Sequence, residues 1–171
     1  MVEDIVRELG LMTLGSRMRR IGERLQGDAT RLAAARGATV QAGFYSLLGA
    51  LERAGELTIG ELATAVGITQ PGVTRSIGEL ARQGLVIMRP GREDQRQRMV
   101  SLTPKGRAQV ELGKREIWPA IEAAVADLCR GFAEPLLDHL AMIEQGLAER
   151  PLDQRARGDE ALAATPGRRR A

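Results

Sequence analysis

Residues 57–106, LTIGELATAVGITQPGVTRSIGELARQGLVIMRPGREDQRQRMVSLTPKG, carry a dense series of turn and cap signals that leaves few folds open. Thr58 and Glu61 have the spacing of a capping box, which starts a short helix through Val66. Gly67 ends that helix at a tight turn. Thr69 caps the next helix, with Pro71 in its first turn, where a missing N–H costs little. This second helix is expected to run to about Gln83 and stop at Gly84. Leu85 to Met88 and Met99 to Leu102 are short apolar runs flanking a polar loop, Gly91 to Arg98, which is the pattern of a hairpin. Thr103 and Pro104 then cap another helix.

Two short helices, a hairpin and a third helix start follow the order of a winged helix-turn-helix, a fold that offers one helix and one β-loop to duplex DNA. The fold class expected is mainly α with a small β-hairpin wing, flanked by a helical dimerisation region. At about 100° per residue, Val73, Ile77 and Leu80 share one side of the second helix and should be buried. The opposite stripe holds Pro71, Arg75, Gly78 and Arg82, with Thr74 and Glu79 alongside. Arg75 sits in the first half, where a recognition helix reaches base edges, and arginine reads guanine bidentately. Thr69, Gln70 and Thr74 are candidates for phosphate or base contacts. Gly78 disfavours a helix interior; it either permits close approach of DNA or carries no role.

Between Arg89 and Arg98 four arginines face two acids, Glu93 and Asp94, so basic charge gathers in the hairpin loop. The whole chain is only +3, which says less about a nucleic-acid surface than this local excess. The bland alternative is a solvated face whose arginines bind nothing. A capped helix pair, an arginine stripe and a basic loop together favour DNA, through Arg75, Arg82, Arg92, Arg96 and Arg98.

The run Asp94, Arg96, Val100, Leu102, Thr103, in the pattern D-x-R-x-x-x-V-x-L-T, resembles the MarR family of bacterial transcriptional regulators. The likeness extends over about Leu11 to Leu147. It implies that Arg96 enters the minor groove and that Asp94 stabilises the wing by pairing with arginine; a narrow minor groove attracts an inserted arginine. It also implies a homodimer on a pseudo-palindromic double-stranded operator. Further, it implies a pocket for a small lipophilic or phenolic effector that releases DNA, with a repressor preferred to an activator. Phe44, Tyr45 and Trp118 are the candidate lining residues, although packing is the simpler reading of three large side chains at a domain junction.

Outside the winged segment, Leu14, Met18, Ile21, Leu25 and Leu32 form one apolar stripe of a helix over about Thr13 to Arg36, after a short helical lead at Val2 to Leu9. Thr39 is a candidate cap for a helix to Ala54 whose buried side is Phe44, Leu47, Leu48 and Leu51. Ile117, Ile121, Val125 and Leu128 share a later stripe; Leu136, Leu140, Ile143 and Leu147 share another. Stripes at both ends that one small domain does not cover argue for a dimer independently. Trp118-Pro119 interrupts an expected long helix and predicts a kink or a restart at Pro119. The organisation expected is a dimerisation segment at 1–36, the winged domain at 37–103, dimerisation helices at 104–149 and a disordered tail at 150–171 ending in a basic RRRA run.

No run approaches the roughly 18 apolar residues of a membrane span, and the acidic N-terminus does not resemble a signal peptide. A cytoplasmic protein without membrane contact is the expectation. One cysteine, Cys129, excludes an internal disulfide and a cysteine-based zinc site; a buried structural thiol is favoured over an oxidant sensor. The sole histidine, His139, suits a surface or packing role. No metal, cofactor or catalytic residue is expected, and the 171 residues leave no room for the acetyltransferase domain that some relatives append. The competing reading from another class is a winged-helix module that binds a protein and no DNA.

Overall fold

The computed structural model describes residues 3–91 and 97–163. Helix α1 (Ile5–Glu8) and a 3-10 turn (Gly10–Thr13) lead into the long α2 (Leu14–Ala35). A second 3-10 turn (Ala42–Phe44) opens α3 (Tyr45–Ala54), followed by β1 (Glu56–Thr58), α4 (Ile59–Val66) and α5 (Gln70–Arg82). The hairpin is β2 (Val86–Pro90) and β3 (Arg98–Leu102), and α6 (Pro104–Leu112), α7 (Trp118–Leu128), α8 (Ala133–Glu149) and α9 (Leu152–Ala163) complete the order. The chain divides into two compact units, residues 1–123 and 124–171.

In the first unit β3 is the central strand of a three-stranded antiparallel sheet ordered β1-β3-β2. Leu57 pairs with Val100, and Met88 pairs with the same Val100 from the other side. The one buried face of this sheet supplies Val86, Val100 and Leu102 to the core. Helix α3 adds Leu47, Leu48 and Leu51, α4 adds Leu62, and α5 adds Val73, Ile77 and Leu80. These are the positions that the helical period singles out. Val110 of α6 and Ile117 join the same core.

Several expectations need correction. Thr39 caps no helix: α3 begins after the 3-10 turn, and the Thr39 N–H donates to Gln109 Oε1 at 3.2 Å instead. Strand β1 is absent from the sequence reading because its three residues show no alternation of their own. The restart expected at Pro119 falls at Trp118, by widening rather than by a break. Gly113–Ile117 form a π turn in which the Trp118 N–H donates to the Gly113 carbonyl. Proline has no N–H and its ring crowds the carbonyl four residues back, so a wider turn before it accommodates both. The disordered tail expected from residue 150 does not describe Leu152–Ala163, which form α9. There Asp153 lies in the first turn, and the Arg155 Nε donates to the Arg150 carbonyl at 2.7 Å across the join between helices. Residues 164–171 lie outside the described residues.

Helix α2 buries little of its stripe: Leu14, Ile21 and Leu25 remain 37–49% exposed. In the second unit, Leu136, Ile143 and Leu147 of α8 are likewise uncovered. Among the described residues no helix is long and apolar enough to cross a membrane.

Candidate nucleic-acid interface

Local chemistry fixes the pair α4–α5. The Thr58 N–H donates to Glu61 Oε2 at 2.7 Å and the Glu61 N–H returns a bond to Thr58 Oγ1 at 3.2 Å, closing the capping box. Hydrogen bonding from the Thr58 backbone, then from its hydroxyl, holds the Glu61 carboxyl below the usual glutamate range. Gly67 takes φ +68°, the left-handed conformation that glycine adopts without penalty, and turns the chain into α5. Thr69 Oγ1 accepts from the Gly72 N–H at 3.3 Å, and Pro71 occupies the first turn.

With Val73, Ile77 and Leu80 buried, α5 is fixed in rotation, and Pro71, Thr74, Arg75, Gly78 and Arg82 form its exposed stripe. Gln70 and Thr69 are exposed at its start, and the Thr74 hydroxyl donates to the Gln70 carbonyl at 2.9 Å. Arg75 has no ion-pair partner among the described residues. Arg82 differs, because it pairs with Glu79 one turn back. Glu79 also accepts from Gln83 Nε2 at 2.7 Å, which keeps this acid occupied at the end of the helix.

The hairpin stands beside α5. Arg98 pairs across the strands with Pro90 and is exposed; Arg89, opposite Met99, is exposed as well. The Gly91 N–H donates to the Gln97 carbonyl at 2.9 Å, closing the strand ends. Arg92, Asp94 and Arg96 lie outside the described residues. Between the hairpin and α5 runs an open groove of about 660 Å³, lined by Thr74, Gly78, Met88 and Arg98 and reaching Thr58 and Gly60.

The seat of α5 depends on Lys105, which the sequence reading does not single out, and on Thr103, expected there only as a cap. Lys105 Nζ donates to the Gln83 carbonyl at 2.9 Å, and the Thr103 hydroxyl to the Gly84 carbonyl at 2.7 Å. Both satisfy acceptors at the end of α5, and the lysine charge favours that end of the helix dipole. Lys105 lies in the first turn of α6 and its bond crosses the whole hairpin, so no local spacing announces it. Arg89 was counted in the basic excess without being assigned a role.

The three candidate effector residues lie at the start of α3 and at Trp118. Tyr45 is buried, while Phe44 and Trp118 are half-buried and packed on the core. The rings of Tyr45 and Trp118 meet edge to face, with centroids 5.9 Å apart. Burial pushes the Tyr45 hydroxyl pKa up. Cys129 is a buried free thiol. Among the described residues no three metal-ligating side chains of the His, Cys, Asp or Glu type gather.

A family model described as MarR family matches residues 45–97. The transcriptional activatory protein BadR of Rhodopseudomonas palustris is 35% identical over 86 residues, 48% of each chain. The chain spans about half to three-fifths of the length of the curated relatives it matches, 48% and 62%. Among solved structures, the transcriptional repressor CouR bound to a 23-mer DNA duplex aligns at a TM-score of 0.61 and 26% identity, over 77% of this chain and 92% of that one. A mutant of MarR from E. coli complexed with operator DNA aligns at 0.66 and 19% identity, over 82% and 97%, a likeness of fold.

Proposed function

We propose that this chain is a DNA-binding transcriptional regulator of the MarR type and that it engages and releases its operator as follows. Helix α5 enters the major groove and the β2–β3 hairpin reaches the adjacent minor groove. Arg75 reads base edges; Thr69, Gln70, Pro71 and Thr74 approach the strand at the start of the helix; Arg82, Arg92 and Arg98 contact phosphates. Arg96 inserts into the minor groove, and Asp94 steadies the loop. The observation that carries this reading is the exposed stripe of α5, with Arg75 in its first half and without an ion-pair partner among the described residues, set beside a hairpin bearing exposed Arg89 and Arg98.

The protein acts as a homodimer. Exposed Leu14, Ile21 and Leu25 on α2, and Leu136, Ile143 and Leu147 on α8, are apolar surface that a second copy would remove from water. Two copies present two α5 helices to half-sites about 10 bp apart on a pseudo-palindrome. The mode proposed is repression relieved by a small lipophilic or phenolic effector, with Phe44, Tyr45 and Trp118 as the residues it would meet.

Fluorescence anisotropy with DNA from upstream of the protein's own gene, beside a scrambled duplex and at two salt concentrations, tests the reading. Preferential, salt-sensitive binding to the upstream duplex is expected. Salt-insensitive binding without preference overturns it and favours a protein-binding winged helix. Light scattering at micromolar concentration checks the dimer; a monomer there removes that part.

A further inference from the structure

Gly78, on the exposed stripe of α5, is a glycine that neither its backbone conformation nor its neighbours require. It lies in the helix interior, and it is not among the glycines of positive φ. A Cβ built on it meets nothing within 4 Å. Near the site Gly67 and Gly84 take positive φ, at Gly106 a Cβ would strike the Leu85 carbonyl, and at Gly60, on the same groove, a Cβ would lie in ordinary contact 3.5 Å from the Gln70 side chain. At Gly78, by contrast, the sequence carries a poor helix former where alanine would fit the chain itself.

What surrounds the position gives the reason. Gly78 lies on the wall of the groove between α5 and the hairpin, with Thr74 on the same wall and Met88 and Arg98 opposite. When a helix reads one groove of a duplex and a hairpin the next, the strand that separates the two grooves must pass between them. A phosphodiester strand is anionic, and Arg98 brings a guanidinium to that channel. The nearby acid Glu61 is engaged by the Thr58 N–H and hydroxyl. Resting on the DNA-binding reading above, we propose that Gly78 is the clearance residue of the interface, its missing side chain admitting one sugar–phosphate strand of duplex DNA into this groove.

The proposal sets stability against binding, which makes it testable. Full-length wild type, Gly78→Ala and Gly78→Leu are compared on two labelled duplexes: one selected from a random-sequence pool on the wild type, and one of mixed sequence. Melting by circular dichroism accompanies the titrations. Alanine is expected to raise the melting temperature and leucine not to lower it. Affinity is expected to fall from glycine to alanine to leucine on both duplexes, by about tenfold or more for leucine, with their ratio preserved. Binding by Gly78→Leu within about twofold of wild type overturns the proposal. A loss confined to the selected duplex also overturns it, because Gly78 would then face a base edge. A wild type that selects no DNA from the pool is a different result: it sinks the DNA-binding reading, and this inference falls with it.

Discussion

Gly106 is packed so tightly on Leu85 that a Cβ added to it would lie 2.0 Å from the Leu85 carbonyl oxygen. The obstacle is backbone, and the same carbonyl already accepts the Thr103 N–H at 3.0 Å. Helix α6 therefore meets the end of α5 through a glycine, with Lys105 and Thr103 making their bonds on either side. Gly106→Ala is expected to destabilise the protein by about 1–3 kcal/mol or more, as overpacking against groups that cannot rotate aside. Urea denaturation checks it, and a midpoint equal to wild type would show that α6 moves freely from α5.

Arg75 and Arg82 share one helix face but differ in their surroundings, since among the described residues Arg82 pairs with Glu79 and Arg75 with no acid. Arg75→Ala should cost about 1–3 kcal/mol on the selected duplex and little on a scrambled one, flattening the preference. Arg82→Ala should weaken both duplexes evenly and reduce the salt slope by about one. Anisotropy titrations across a salt series separate the two patterns. An even loss from Arg75→Ala would reassign that arginine to a phosphate.

The capping box predicts an acid-sensitive contribution to stability. Glu61 has a folded pKa below its unfolded one, because Thr58 donates to its carboxylate. Its contribution is therefore complete above the ordinary glutamate range and is lost as pH falls through the depressed folded value. Glutamine keeps the hydrogen-bonding shape of the box but not the charge. Wild type should melt above Glu61→Gln at neutral pH, and the gap should close in acid. A gap independent of pH would mean that the charge contributes nothing at this cap.

These predictions differ in how far the sequence alone reaches. The caps at Thr58, Thr69 and Thr103 and the stops at Gly67 and Gly84 were legible because each is decided within about one helical turn. The exposed stripe of α5 was legible for the same reason, through the burial of Val73, Ile77 and Leu80. Strand β1 was not, since its three residues become a strand only by pairing with β3, far along the chain. Nor were the bonds of Lys105 and Gln109, both of which depend on where α6 docks. The π turn before Pro119 was half legible: proline announced a disturbance, but its form depends on room beside Gly113. There a Cβ would come within 2.8 Å of the Trp118 indole nitrogen.

That same corner yields a last prediction. The hydroxyl of Tyr45 and the indole N–H of Trp118 are buried without a hydrogen-bond partner among the described residues, while their rings stack edge to face. Removing an unsatisfied buried hydroxyl takes away a desolvation cost and leaves the ring contact in place. Tyr45→Phe should therefore leave stability unchanged or raise it by up to about 1 kcal/mol. Trp118→Ala should lower it by about 3–5 kcal/mol at full burial, and by less here because the indole is half-buried. Thermal melts of the two variants distinguish the hydroxyl from the rings. If Tyr45→Phe instead loses stability, the hydroxyl has a partner, and Tyr45 acts as a polar group in this corner as well as a packing one.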